Sequence, residues 1–179
     1  MAAGSTTYTF DIELSHVDRG VYETFTVKTG RHPSESAEYL VTRILAYALE
    51  YEEGIAFSQG LAASDEPAAW IRDLTGRLVT SIEVGTPDPA RLHRASKASD
   101  RVVVYCHKDV DPYLRTLASA AVHAPERITV IEVPRPLVQA LSSALERRTR
   151  LCVSMNDGEL YVDIGGDPLT AQLVRHPYR

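Results

Sequence analysis

Residues 65–85, DEPAAWIRDLTGRLVTSIEVG, place two acids, Asp65 and Glu66, ahead of a turn and a third, Glu83, beyond it. Carboxylates gathered in this way suit a hard divalent cation, Mg2+ or Mn2+, which takes protein oxygens and completes its shell with water and substrate phosphate. The apolar-rich runs 68–74 and 78–84 flank Thr75-Gly76, a hairpin signal. Alternation puts Leu78, Thr80, Ile82 and Val84 on one side and Val79, Ser81, Glu83 and Gly85 on the other. Pairing about the turn sets Glu66 to Ala68 opposite Glu83, within cross-strand reach. The structural alternative makes Glu83 a solvated strand residue and Asp65-Glu66-Pro67 a turn or cap.

The elements that must position these acids follow from periodicity. Alternating runs at 7–14 and 21–29, with 17–20 as the turn, predict an opening hairpin. Helical spacing of Leu40, Val41, Ile44, Leu45, Ala48 and Leu49 predicts a helix over 34–51, capped by Ser34. Its apolar arc takes in Glu38, a further acid aimed at the sheet, and leaves Glu35 and Arg43 outside. Helices are expected at 89–98, 112–122 and 136–148, strands at 101–107 and 128–133, and a last hairpin at 150–155 and 159–164 about Asn156-Asp157-Gly158. This alternation of strand and helix predicts one mixed sheet flanked by helices, an α/β (α+β) fold with N-terminal and C-terminal hairpins.

Of Arg91, His93, Arg94 and Lys97 in the helix just after Glu83, His93, Arg94 and Lys97 share one side, a basic face suited to a nucleic-acid backbone, though a solvated surface accounts for it more readily. Arg147, Arg148 and Arg150 are read as cations offsetting a helix C-terminus. The six histidines show no zinc spacing, and no nucleophile elbow, Walker loop or dinucleotide fingerprint is present, so no organic cofactor is expected. Cys106 and Cys152 lie in strand-like runs and read as buried thiols. The chain has 179 residues with 44% hydrophobic and 24% charged, which predicts one domain over 1–179 rather than a disordered or membrane protein. A formal charge of −5 argues against whole-surface attraction to nucleic acid and leaves local patches open. The start, MAAGSTTYTFDIEL, lacks a secretory pattern, so a cytoplasmic location without membrane partners is expected.

Taken together, RHPSESAEYLVTRILAYAL and FSQGLAASDEPAAWIRDLTGRLVTSIEVGTPDPARLHRASKASDRVVVYC resemble the YaeQ family of bacterial proteins. The resemblance is specific at HPSE, DEP-x-x-W, D-x-TG, I-E-x-G-x-PD and VVVY, and weaker after Cys106. It implies a variant of the PD-(D/E)XK nuclease-like fold, in which acids on adjacent strands hold a divalent metal that activates water against a phosphodiester. Carried over, the catalytic set is Glu38, Glu66, Glu83 and Lys97, the metal set Asp65, Glu66 and Glu83, and the substrate contacts His32, Ser34 and Arg94. The motif lysine falls at Gly85, so Lys97 or Arg94 would have to replace it, and position 68, an acid in the literal motif, is Ala68. Two functions follow: a metal-dependent phosphodiesterase acting on nucleic acid, or a catalytically silent, regulatory module that binds nucleic acid or a protein.

Overall fold

The computed structural model describes residues 4–59 and 65–178; residues 60–64 of the matched motif, and 1–3 of the N-terminal reading, lie outside the described residues. The opening hairpin is β1 (Thr6–His16) and β2 (Val21–Arg31), in register from Thr6 opposite Arg31 to His16 opposite Val21. It is followed by α1 (Ala37–Leu49), β3 (Ile55–Phe57), β4 (Ala69–Arg72), β5 (Leu78–Val84), α2 (Pro89–Ala98), β6 (Arg101–Cys106) and α3 (Val110–Ala118). The remaining elements are β7 (Ile128–Glu132), α4 (Arg135–Ser143), β8 (Arg148–Asn156), β9 (Glu159–Asp163), β10 (Leu169–Gln172) and β11 (Val174–Pro177).

The described residues form two mixed sheets, not the single sheet expected. One runs β10-β9-β8-β1-β2 and the other β11-β7-β6-β5-β4-β3. The chain divides because β8 pairs in parallel with β1, Ile12 opposite Leu151, instead of extending the β5-β6-β7 sheet. The two hairpins thereby close a sheet of their own. Its inner face, with Phe10, Ile12, Leu14 and Val153, shares one core with α1, α4 and the face of the second sheet that carries Ile82, Val103 and Tyr105. On the far side of the second sheet, Val102, Val104, Cys106 and Val130 pack against Leu92 of α2 and Tyr113 and Leu117 of α3. The architecture is mixed α+β.

Lying between two sheets, α1 is buried from Leu40 through Leu49. The helical wheel, which assumes one solvent side, therefore misplaces Arg43: it is buried and pairs with buried Glu35 at 3.0 Å. Glu35 precedes the helix, whose N-cap is Ser36 and not Ser34, since the Ser36 side chain accepts from Tyr39 N. Helix α4 ends at Ser143, five residues before the expected end, and Arg148 and Arg150 belong to β8. They do not offset a helix dipole. Across the parallel register they pair with Asp11, at 2.7 Å, and Glu13. Cys106 is buried as expected, while Cys152 is only half-buried, on the outward side of β8 beside Glu13.

Candidate functional site at the carboxyl ends of β5 and β6

β5 and β6 run parallel, Glu83 opposite Val104 and Val84 opposite Tyr105, so both strands end at one edge. Beyond the carboxyl ends of parallel strands, loops and helix N-termini converge, and ligand sites in open α/β sheets lie there. Gly85 turns the chain at φ +87° and donates its N–H to Tyr105 O at 2.9 Å. That backbone region penalises any residue with a Cβ, so a lysine at position 85 would be strained and glycine suits the turn. A Cβ there would have room, its nearest neighbour being His107 Cε1 at 3.9 Å; the constraint is the torsion.

After the turn, Asp88 caps α2 by accepting from Arg91 N at 2.7 Å, and Pro89 sits at the first helical position. This cap directs Arg91, in the first turn, back at the strand end. Its Nε donates to Glu83 Oε2 at 2.9 Å, and its terminal nitrogen donates to the Glu66 carbonyl oxygen. Arg91 thus cross-links β5 to the segment ahead of β4. Glu83 is only 4% exposed; burial pushes its carboxyl up to about 7, against the opposing pull of Arg91 and, more weakly, Arg94.

On the other face of the sheet end, Tyr39 of α1 packs edge-on against His107, ring centroids 6.4 Å apart. Among the described residues neither ring nitrogen of buried His107 has a hydrogen-bond partner. Burial, helped by Lys108 and opposed by Glu38, lowers its pKa to about 4, so it is neutral at pH 7. Tyr39 lies within electrostatic reach of both buried ion pairs, Glu35 with Arg43 and Glu83 with Arg91, and its own pKa is raised by burial.

The acids of the expected metal set are not brought together. Glu83 points to the α2 side and is held by Arg91. Glu38 approaches from the α1 side, where its charge acts on His107. The Glu66 carboxylate accepts from Gln59 N at 3.3 Å, and Asp65 is exposed. Among the described residues no three His, Cys, Asp or Glu side chains group as metal ligands. These residues do not fit a preformed divalent-cation site: the one deeply buried carboxylate already faces a guanidinium.

Of the expected contacts, Arg94 lies one helical turn beyond Arg91, exposed, with its charge reaching Glu83. Lys97 is exposed in the last turn of α2 and makes no hydrogen bond or ion pair among the described residues. His93 instead accepts from His123 N at 3.1 Å, tying α2 to the segment after α3. His32 and Ser34 are exposed and bond each other, Ser34 Oγ lying 2.6 Å from His32 Nδ1. His32 lines a separate cleft of about 360 Å³ floored by Glu35 and Arg43.

Arg91, Tyr39 and His107 are the site residues that sequence reasoning did not single out for a role. For Arg91 the signal was present: an Asp-Pro cap fixes the helix start, and the third residue after the cap must lie close to the strand just left. Chemically, the arrangement offers a carboxyl that exchanges a proton near neutral pH beside fixed and exposed guanidinium groups.

A family model described as YaeQ protein matches residues 1–173. Over 107 residues the chain is 32% identical to uncharacterized protein YaeQ of Escherichia coli, a match covering 60% of this chain and 59% of that protein's length. Crystal structures of YaeQ proteins superpose on nearly the whole fold. The Pseudomonas syringae protein is 31% identical, with a TM-score of 0.87 over 96% of this chain and 95% of its own. The Xanthomonas axonopodis pv. citri protein is 29% identical, with a TM-score of 0.88 over 98% and 99%. A match running almost from end to end of the sequence places this chain in the YaeQ family.

Proposed function

We propose that the chain is a binding module of nuclease-like ancestry that engages the phosphate backbone of nucleic acid along α2, with Arg91 neutralising Glu83 where an active relative would hold a metal ion. The observation that carries this reading is the Arg91 bridge: a built-in cation joins the buried Glu83 carboxylate to the Glu66 backbone. Exposed Arg94 and Lys97 continue at helical steps from Arg91 and supply the charge that phosphate contacts need. A second reading, a Mg2+- or Mn2+-dependent phosphodiesterase, is favoured by one feature. The Glu83 carboxyl, held by a guanidinium that is 25% exposed at the sheet edge, has its pKa raised to about 7, the range in which a group that takes up and gives back a proton works at neutral pH.

Fluorescence anisotropy with a labelled oligonucleotide at about 50 to 200 mM salt, together with Mg2+ and Mn2+ calorimetry, separates the two. Binding should weaken with salt, and Arg94→Glu with Lys97→Glu should weaken it about tenfold or more and flatten the salt slope, while Glu83→Ala leaves it intact. Affinity indifferent to salt and to both reversals would sink the binding module. Calorimetric Mg2+ binding lost in Glu83→Ala would establish the second reading instead.

A further inference from the structure

At the opposite end of α1 from Tyr39, roughly 15 Å along the helix axis, the two sheets part around a cavity of about 270 Å³. Its polar lining comes from His16 at the end of β1, Asp18 and Arg19 in the hairpin turn, and Arg175 of β11. Leu49, Ile131, Met155 and Leu173 form its apolar wall. A cavity of about 150 Å³ already accepts a benzene ring, so this one takes a ring bearing a polar group.

The polar groups are unevenly satisfied. Asp18 is fully engaged, accepting from Asp157 N at 2.7 Å and Gly158 N at 3.2 Å. Arg19 donates to Leu49 O at 2.8 Å and to Glu52 at 3.3 Å. The nearby Glu50 is neutralised by Arg101 and also accepts from the Tyr105 hydroxyl at 2.8 Å. Two groups remain: exposed Arg175 makes no hydrogen bond or ion pair, and His16, 3% exposed, keeps Nδ1 without a partner, both among the described residues. The His16 ring lines the cavity with no hydrogen bond to its nitrogens among the described residues, so it has hydrogen-bonding capacity to offer a ligand. Arg19 is balanced by Glu52 and Asp18 is held by two backbone N–H groups, so the Arg175 guanidinium is the cation at the cavity with no anion bound to it among the described residues.

We propose that this cavity binds a small organic monoanion, a carboxylate on a short apolar or aromatic body, with the carboxylate between Arg175 and the His16 ring and the body against Met155 and Leu173. The site is independent of the α2 surface. Calorimetry of the full chain with benzoate as the probe should show saturable binding that benzamide, its neutral analogue, does not reproduce. Arg175→Gln should weaken it about tenfold or more, the loss of one charge-assisted contact, and Glu83→Gln should match the native protein. Leu173→Trp, which fills the cavity, should abolish binding, and benzoate should shift the Met155 methyl resonance. No saturable binding, equal affinity for benzamide, indifference to Arg175→Gln or an unmoved Met155 signal would each overturn the assignment.

Discussion

Glu83 and His107 sit at one sheet edge with opposite responses to pH. For Glu83 the folded carboxyl titrates at about 7, above its ordinary 4.5. The folded state then binds more protons between those values, so Glu83 lowers stability as pH rises through that window. For His107 the folded ring titrates at about 4, below 6.5, so the unfolded state binds more protons and stability rises with pH between 4 and 6.5. The two slopes oppose each other over most of the range and largely cancel. Glu83→Gln should unmask the His107 slope, giving a variant that gains stability relative to the native protein from pH 4.5 to 7, by on the order of 3 kcal/mol. Denaturant unfolding at several pH values measures it, and parallel profiles for the two proteins would contradict the assignment. The position of Glu83 on its strand face was legible from alternation alone. The Arg91 contact was not, because it crosses eight residues and depends on how the 85–88 turn aims the helix.

Helix α1 shows where a pattern of residues stops determining an environment. Its period was plain in the sequence, but a wheel reports only which side is most apolar, and α1 packs against a sheet on each side. Arg43 survives there because it has neighbours for its charge: the Glu35 carboxylate at 3.0 Å, Gly30 O at 2.9 Å and the Phe57 ring at 5.3 Å. Arg43→Met leaves Glu35 buried with its charge uncompensated and should cost about 3–5 kcal/mol. The double variant Glu35→Gln with Arg43→Met should recover most of that loss in the same denaturant titration. A double variant no more stable than the single one would show that Arg43 contributes through packing rather than charge. Among the other elements, β3, β10 and β11 escaped sequence reading because three or four residues carry too little alternation to register. The hairpins were visible because each combines long alternation with a turn, as at Asp157-Gly158, where both residues have positive φ.

For the whole molecule, α1 and α4 pack with both sheets in one apolar core, an arrangement expected to make them a single folding unit. Among the described residues no strand of one sheet pairs with a strand of the other; what joins them is a shared apolar layer in which Leu14 of the first sheet and Ile82 of the second belong to the same core. Sequence showed that strands and helices alternate, yet which strand pairs with which depends on the long-range parallel match of β1 with β8, spanning most of the chain. No local pattern encodes that choice. If the shared layer couples the sheets, a cavity made in one must destabilise the other. Trp70, the only tryptophan, lies in β4 of the six-stranded sheet, so its fluorescence reports that sheet, whereas far-UV ellipticity reports both. Leu14→Ala, in the five-stranded sheet, should lower stability by about 2–5 kcal/mol. The Trp70 and ellipticity transitions should move together to the same lower denaturant midpoint, as one cooperative unit requires. A Trp70 midpoint left at its native value while ellipticity shifts would mean that the two sheets unfold separately and that α1 does not bind them into one unit.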